Sequence, residues 1–300
     1  MTKKLILVLT LSVAVIMILF AVSSWLSLRT YKRYVEDNPP TTIPKSEKCS
    51  ASGLVGHWTF EGIVGETVPD LSGQKNDGTF RYWLNDVTKF LYGAPKVIQG
   101  KDEKGLEFKG RQWVDVGNNN CFITEQFTIS AWVWQEKDDV LDPAIVKKYP
   151  GPYNVPTIMA KSSWPYDGWW LCSTTTSVDG KIHYRDIDVG IAYGNGFSHV
   201  KSGYQLPLRE WHHIAVSMDN INQEAQFYID GRIYGAKQKG VPKWFLNWNH
   251  DLFVGEYDGS GRWPWFGKLD DVRFYNKVVT DKEALELFSN HVNPAKDLKI

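Results

Sequence analysis

The groups in this 300-residue chain whose types and spacing suggest chemistry are oxygens gathered in one turn and aromatic rings gathered in three loops. In Asp70-Leu71-Ser72-Gly73-Gln74-Lys75-Asn76-Asp77-Gly78, carboxylates, a side-chain amide and turn carbonyls lie close together. Hard divalent cations such as calcium bind oxygens of these kinds. An Asx-turn that hydrogen-bonds its own backbone accounts for the same residues, and both readings stand. The loops Trp164-Pro165-Tyr166-Asp167-Gly168-Trp169-Trp170, Trp244-Phe245-Leu246-Asn247-Trp248 and Arg262-Trp263-Pro264-Trp265-Phe266 set indole faces beside Asp, Asn and Arg. Such faces stack on sugar rings while polar neighbours hold hydroxyls, so Trp164, Trp169, Trp248, Trp263 and Trp265 are the candidate ligand-binding residues. A protein-interface anchor, or a plug over the end of a core, has the same composition.

No catalytic residue is assigned. Neither a G-x-S-x-G elbow nor an H-E-x-x-H zinc pattern occurs among the residues. His212 and His213 are neighbours on an expected strand, where adjacent side chains face opposite sides, so a structural role suits them better than a shared metal. Cys49, Cys121 and Cys172 include no C-x-x-C pair; they allow one disulfide with a thiol left over, without choosing the pair.

The elements that must position these groups are short strands. Phe127, Ile129, Ala131 and Val133 alternate with Thr128, Ser130, Trp132 and Trp134, a period of two. Ile214, Val216 and Met218 share a face of another strand, and 225–230 with 232–234 predict a hairpin turning at Asp230-Gly231. No βαβ rhythm is present, which excludes a parallel α/β fold. Near the end, Thr280-Asp281-Lys282-Glu283 is a capping box opening a helix with Ala284, Leu285, Leu287 and Phe288 on its apolar stripe. The chain has 14 Trp, 14 Tyr and 14 Phe, an aromatic content that suits strands and sandwich cores. Lys plus Arg equals Asp plus Glu at 34 each, so no net field argues for a nucleic-acid partner.

From Leu5 to Leu28 no residue is charged, and at about 1.5 Å per residue this run covers the ~30 Å hydrocarbon core of a bilayer. A cleaved signal peptide ending near Ala21-Val22-Ser23 competes, although the apolar run exceeds the usual h-region of about 7–15 residues. The expectation is an uncleaved signal anchor over 1–28, then a polar, proline-containing stalk over 29–52. Basic residues flank both ends of the run and leave its orientation open.

Four blocks resemble laminin G-like jelly rolls of the concanavalin A-like lectin/glucanase type. They are Gly53 to Glu61; the D-x-S-G-x-x-N-D-G turn from Asp70; Trp211-His212-His213-Ile214 with Tyr228-Ile229-Asp230-Gly231; and Gly267-Lys268-Leu269-Asp270-Asp271-Val272-Arg273-Phe274-Tyr275. The resemblance implies an all-β sandwich of two antiparallel sheets over 53–293, with a tail over 294–300. Three stretches look inserted: 135–161, 195–204 and 239–251. It also implies a structural calcium site that joins the Asp70 turn to the last strand, with Asp70, Asn76 and Asp270 as ligands. Asp271, of opposite strand parity, is then solvent-facing or paired with a lysine. Glucanases of this type carry E-x-D-x-x-E, and the closest string here, Asp186-Ile187-Asp188-Val189-Gly190-Ile191, lacks the last carboxylate. Such domains are mostly exported, which places this one on the extracytoplasmic side of a single-pass anchor. The function expected is a non-catalytic, membrane-anchored recognition or adhesion module for carbohydrate or a surface protein. The alternative is a structural or accessory subunit of a membrane or envelope complex; a glycan hydrolase ranks below both. The sequence leaves the oligomeric state open.

Overall fold

The computed structural model describes residues 49–82, 93–137, 155–163, 167–178, 181–193, 196–244 and 250–290. The expected membrane segment, most of the expected stalk and the tail lie outside the described residues. Among the described residues no helix is long and apolar enough to cross a membrane.

The strands are β1 (Leu54–Trp58), β2 (Thr67–Val68), β3 (Gly78–Tyr82), β4 (Lys96–Gln99), β5 (Lys104–Lys109), β6 (Gln112–Gly117), β7 (Gln126–Gln135) and β8 (Thr157–Ser163). They continue as β9 (Asp167–Val178), β10 (Lys181–Tyr193), β11 (Phe197–Gln205), β12 (His212–Asp219), β13 (Glu224–Ile229), β14 (Arg232–Lys239), β15 (Leu252–Val254) and β16 (Phe266–Tyr275), followed by helix α1 (Asp281–Ser289). Sheet I runs β14-β13-β12-β7-β16-β5-β4 with β1 also on β16, and sheet II runs β11-β10-β9-β8-β15-β6-β3-β2. Neighbours pair antiparallel throughout, which gives a jelly-roll-like sandwich.

Alternation drives the two sheets together. On β7, Phe127, Ile129, Ala131 and Val133 face the core, as their spacing predicts, and Ile214, Val216 and Met218 do so on β12. Ile187, Val189 and Ile191 supply the same layer from β10. At the centre Phe127 stacks on Trp169 with centroids 4.7 Å apart, and Phe274 lies 5.7 Å from both rings. Offset stacking of this kind adds to the area that burial removes from water.

The hairpin turns at Asp230-Gly231, where both residues have positive φ (49° and 74°), the requirement of a tight two-residue turn. Helix α1 begins on the expected capping box, with the Thr280 side chain accepting from the Glu283 amide and the Glu283 side chain accepting from the Thr280 amide. Ala284 and Leu287 are buried; Leu285, expected on the apolar stripe, is exposed. Of the stretch 195–204, expected as an insertion, residues from Phe197 onward belong to edge strand β11. Its carbonyls at Lys201 and Gly203 accept from Gln238 Nε2 and the Tyr234 hydroxyl of β14, so side chains of the opposite sheet cover that edge. Cys49 pairs with Cys121 across 72 residues of chain, and Cys172 is a buried free thiol.

Candidate ligand-binding face

The expected calcium residues are all placed, and they do not form a metal site. Asp70 Oδ1 accepts from the amides of His57 (2.9 Å) and Ser72 (2.8 Å), while Oδ2 accepts from the Ser72 hydroxyl (2.6 Å) and the Asn76 amide (2.9 Å). Asn76 spends its side chain on the Val55 carbonyl (2.7 Å) and on Asn119 (2.8 Å). Asp270 accepts from the amides of Lys101 (2.8 Å), Asp102 (3.1 Å) and Asp271 (2.7 Å). Each carboxylate thus faces N–H donors, whose hydrogens would repel a cation. Burial pushes Asp270 up to about 7, and the Asp102 and Lys101 amides pull the other way. Among the described residues no group of three or more His, Cys, Asp or Glu could hold a metal ion. The residues do not fit calcium, and the Asx-turn is what the Asp70 segment builds.

Asp271 is also corrected. Strand β16 bulges between Asp270 and Arg273, with Asp271 at φ 47°, and the strict alternation behind its expected exposure fails there. Asp271 is buried, bonded to His57 Nε2 (2.6 Å) and to Arg273 (2.9 Å).

The five candidate tryptophans do not form one exposed platform. Trp164 and Trp248 lie outside the described residues. Trp169 and Trp265 are sealed in the core between the sheets, with no ring face open to a ligand. Trp263 is 5 % exposed and joins Trp170 and Tyr257 in a second cluster on the outer face of sheet II. That cluster is held down by the loop after β15. The buried Glu256 carboxylate accepts from the amides of Asp258 (3.0 Å), Gly259 (2.5 Å) and Arg262 (2.7 Å), which folds the loop back on itself. Tyr257 then lies 4.2 Å from Trp263 and 5.4 Å from Trp170, its hydroxyl 2.9 Å from that of Ser162.

Beside this aromatic wall the outer face is polar. Because Ile187, Val189 and Ile191 point inward, Asp186, Asp188, Gly190 and Ala192 point outward from β10. Asp188 is opposite Cys172 on β9 and Lys201 on β11, and Gly190 is opposite Trp170 and His199. Asp188 is fully buried; its Oδ2 accepts from the Thr174 hydroxyl (2.5 Å) and lies 3.8 Å from His199 Nδ1, and its Oδ1 has no hydrogen-bond partner. Burial pushes Asp188 up to about 7, against the pull of Thr174 and Lys201. Burial also holds His199 down to about 4, with Lys201 adding to the effect. Burial thus favours the uncharged form of both groups. Asp186 is partly exposed, raised by burial, and has an unpartnered oxygen of its own. Phe197 and His199 line the rim half-buried and Lys201 is exposed, while Tyr193 and Tyr204 pack against the main core.

Of this face, Asp186, His199 and Lys201 reach the surface and can accept or donate hydrogen bonds to hydroxyls, while Asp188, Trp170 and Tyr257 are buried beneath them. Retaining hydrolysis needs a second carboxyl about 5–5.5 Å from the first, across the scissile bond. The outward position after Asp188 is Gly190, where a Cβ would collide with the Trp170 ring. No side chain, acidic or otherwise, fits there without displacing Trp170, and Ala192 follows. The sequence reading weighed Asp186 and Asp188 only against the hydrolase motif and missed their shared outward position. The signal was the Asp-Ile-Asp-Val-Gly-Ile alternation itself.

The geometry can be set beside known proteins. No curated protein sequence matches this chain. Domain 4 of AbnA, a GH43 extracellular arabinanase from Geobacillus stearothermophilus solved with arabinotriose, superposes with a TM-score of 0.55 at 18% identity, covering 78% of this chain and 97% of that one. The binding domain of Paraclostridial Mosquitocidal Protein 1 gives 0.55 at 15% identity, covering 81% of this chain and 53% of that one. The binding domain of Botulinum neurotoxin DC, solved with SialylT, gives 0.54 at 13% identity, covering 81% and 52%. This chain thus spans about half the length of those two toxin domains, and identities this low establish a shared fold. The family model of the concanavalin A-like lectin/glucanases superfamily matches residues 108–284, more than half of the chain. Two packed antiparallel sheets, in the order the four sequence blocks imply, and that match together make the chain a member of the concanavalin A-like lectin/glucanase superfamily.

Proposed function

We propose that this protein is a non-catalytic recognition module that binds a glycan on the outer face of β9, β10 and β11. The observation that carries the reading is Gly190 beneath Trp170. The strand presents Asp186 to hydroxyls, the last motif position is the inward-facing Ile191, and the next outward position, Gly190, is filled by an indole ring. The arabinotriose complex of the AbnA domain and the SialylT complex of the neurotoxin domain support a glycan as ligand. The uncharged run from Leu5 to Leu28 supports a single-pass anchor. The Cys49–Cys121 disulfide supports an oxidising, extracytoplasmic location for the sandwich. The detergent-solubilised chain on a glycan array is the test. Retention of at least one glycan class, recovered chemically intact after long incubation, is expected. Cleavage of the bound glycan would overturn the non-catalytic reading. A blank array with stable co-purification of a membrane protein would favour the accessory-subunit role, for which the neurotoxin DC complex with rat synaptotagmin II is a protein-binding parallel.

A further inference from the structure

A second surface lies on the opposite sheet. Residues outward from sheet I form rows across its strands. One row, Gly105, Asp270, Trp132 and His213, is covered: Phe288 of α1 lies 5.4 Å from the Trp132 ring and 6.1 Å from His213, and the 101–102 turn binds Asp270. The next row is Lys96, Glu107, Lys268 and Trp134, paired across β4, β5, β16 and β7. Among the described residues α1 makes no ring contact, hydrogen bond or ion pair to it, and Trp134 and its neighbour Trp211 are both partly exposed, 5.8 Å apart at 62°.

The charges on this row are unevenly matched. Glu136 receives Arg209 (3.2 Å) and the Trp134 indole N–H (3.2 Å), and Glu107 receives Lys109 (3.2 Å). Lys268 and Lys137 instead stand over rings, 4.1 Å above Trp134 and 4.9 Å above Phe266. Between them lies a cavity of about 160 Å³ lined by Phe108, Phe266 and Gly267, with Lys109, Lys137, Lys268, Glu107 and Glu136 around it. Sites for drug-sized ligands run to about 300–1,000 Å³, so this one suits a single ring rather than a large ligand.

We propose that the Trp134–Phe266 surface of sheet I is a second binding site, which takes one acidic sugar unit of a uronate-containing glycan. The ligand's carboxylate draws the Lys268 and Lys137 ammonium groups off the aromatic faces they cover. The uncovered indole and phenyl faces then take the apolar face of the sugar ring. An ammonium held by a ring is a weak, screened interaction at an exposed position, and a carboxylate replaces it readily. A neutral sugar gains nothing from that exchange and must compete with the lysine for the ring. The site stands apart from the Asp186–Asp188 face and does not depend on it.

The test is calorimetric titration of the full chain in detergent with oligogalacturonate and, separately, with an uncharged galactan oligosaccharide of equal length. The uronate oligomer is expected to bind at least tenfold more tightly, with affinity falling as salt rises. Lys137→Gln with Lys268→Gln, both surface changes, should cost about tenfold or more and flatten the salt dependence. Trp134→Phe should weaken binding with the salt dependence intact. Lys282→Gln, a change to an exposed lysine of α1 outside both faces, should leave all of these numbers unchanged. Equal affinity for the charged and neutral oligomers, no uronate binding by folded wild type, or full affinity in the lysine double variant would each overturn the proposal. Loss of uronate binding in Asp186→Asn with the lysine variant unaffected would move the ligand to sheet II, leaving the recognition-module reading intact and this one refuted.

Discussion

At the scale of single residues, the consequence of the outer face of sheet II is pH-dependent stability. Asp188 is raised to about 7 by burial, above the ~3.9 of an unfolded aspartate. Between those values the folded chain binds more protons than the unfolded one, so the contribution is favourable below about pH 4 and is lost as pH rises through 7. His199, lowered to about 4, has the opposite sign: its penalty is present at acid pH and disappears as pH rises through ~6.5. The groups around the Asp188 carboxyl are Asp186, His199, Thr174, Cys172 and Lys201. Asp188→Asn removes only the falling component. Its melting temperature should therefore exceed that of wild type at pH 8 and approach or fall below it at pH 5, as read by calorimetry across that range. A constant offset between the two proteins at every pH would mean Asp188 titrates normally.

At the scale of elements, strand pairing and a buried ionic cluster join the first and last strands. Strand β1 pairs with β16, and the His57–Asp271–Arg273 cluster pins the pair where β16 bulges. Removing one member of a largely buried ionic cluster leaves the others uncompensated, so Asp271→Ala should cost about 3–5 kcal/mol, read by denaturant unfolding. A chelator should leave the melting midpoint of wild type where it was, because Asp70 and Asp270 are already saturated by backbone amides. A chelator-sensitive midpoint with an innocuous Asp271→Ala would reverse that assignment. The alternation of β7 and β12, the Asp230-Gly231 turn and the Thr280 capping box were legible because each depends on neighbours within a few residues. The bulge at Asp271 was not, since nothing local in Leu269-Asp270-Asp271-Val272 distinguishes a bulged strand from a regular one. Parity counting then sent Asp271 to the solvent when it is buried.

At the scale of the whole molecule, the sandwich and its family were readable from four blocks spread along the chain. The use of its aromatic residues was not. Trp169 and Trp265 sit in polar, turn-rich strings that resemble ligand loops, yet both are buried in the core, and for Trp169 that neighbourhood is set by residues distant in sequence, Phe127 and Phe274 of the opposite sheet. The disulfide pairing was likewise a tertiary fact. By closing 72 residues, it should stabilise the sandwich by about 4 kcal/mol in a chain-entropy treatment. Cys49→Ser with Cys121→Ser should lower unfolding stability by an amount of that order, and an unchanged denaturation midpoint would contradict it. The central claim is that the Asp186–Asp188 face binds a glycan and leaves it whole. The most direct measurement is titration of wild type and Asp186→Asn with the best ligand from the array, each mixture then analysed for cleaved product. The account predicts at least tenfold weaker binding by the variant and intact glycan in both mixtures. Undiminished affinity in Asp186→Asn, or cleavage by wild type that the variant lacks, would contradict it.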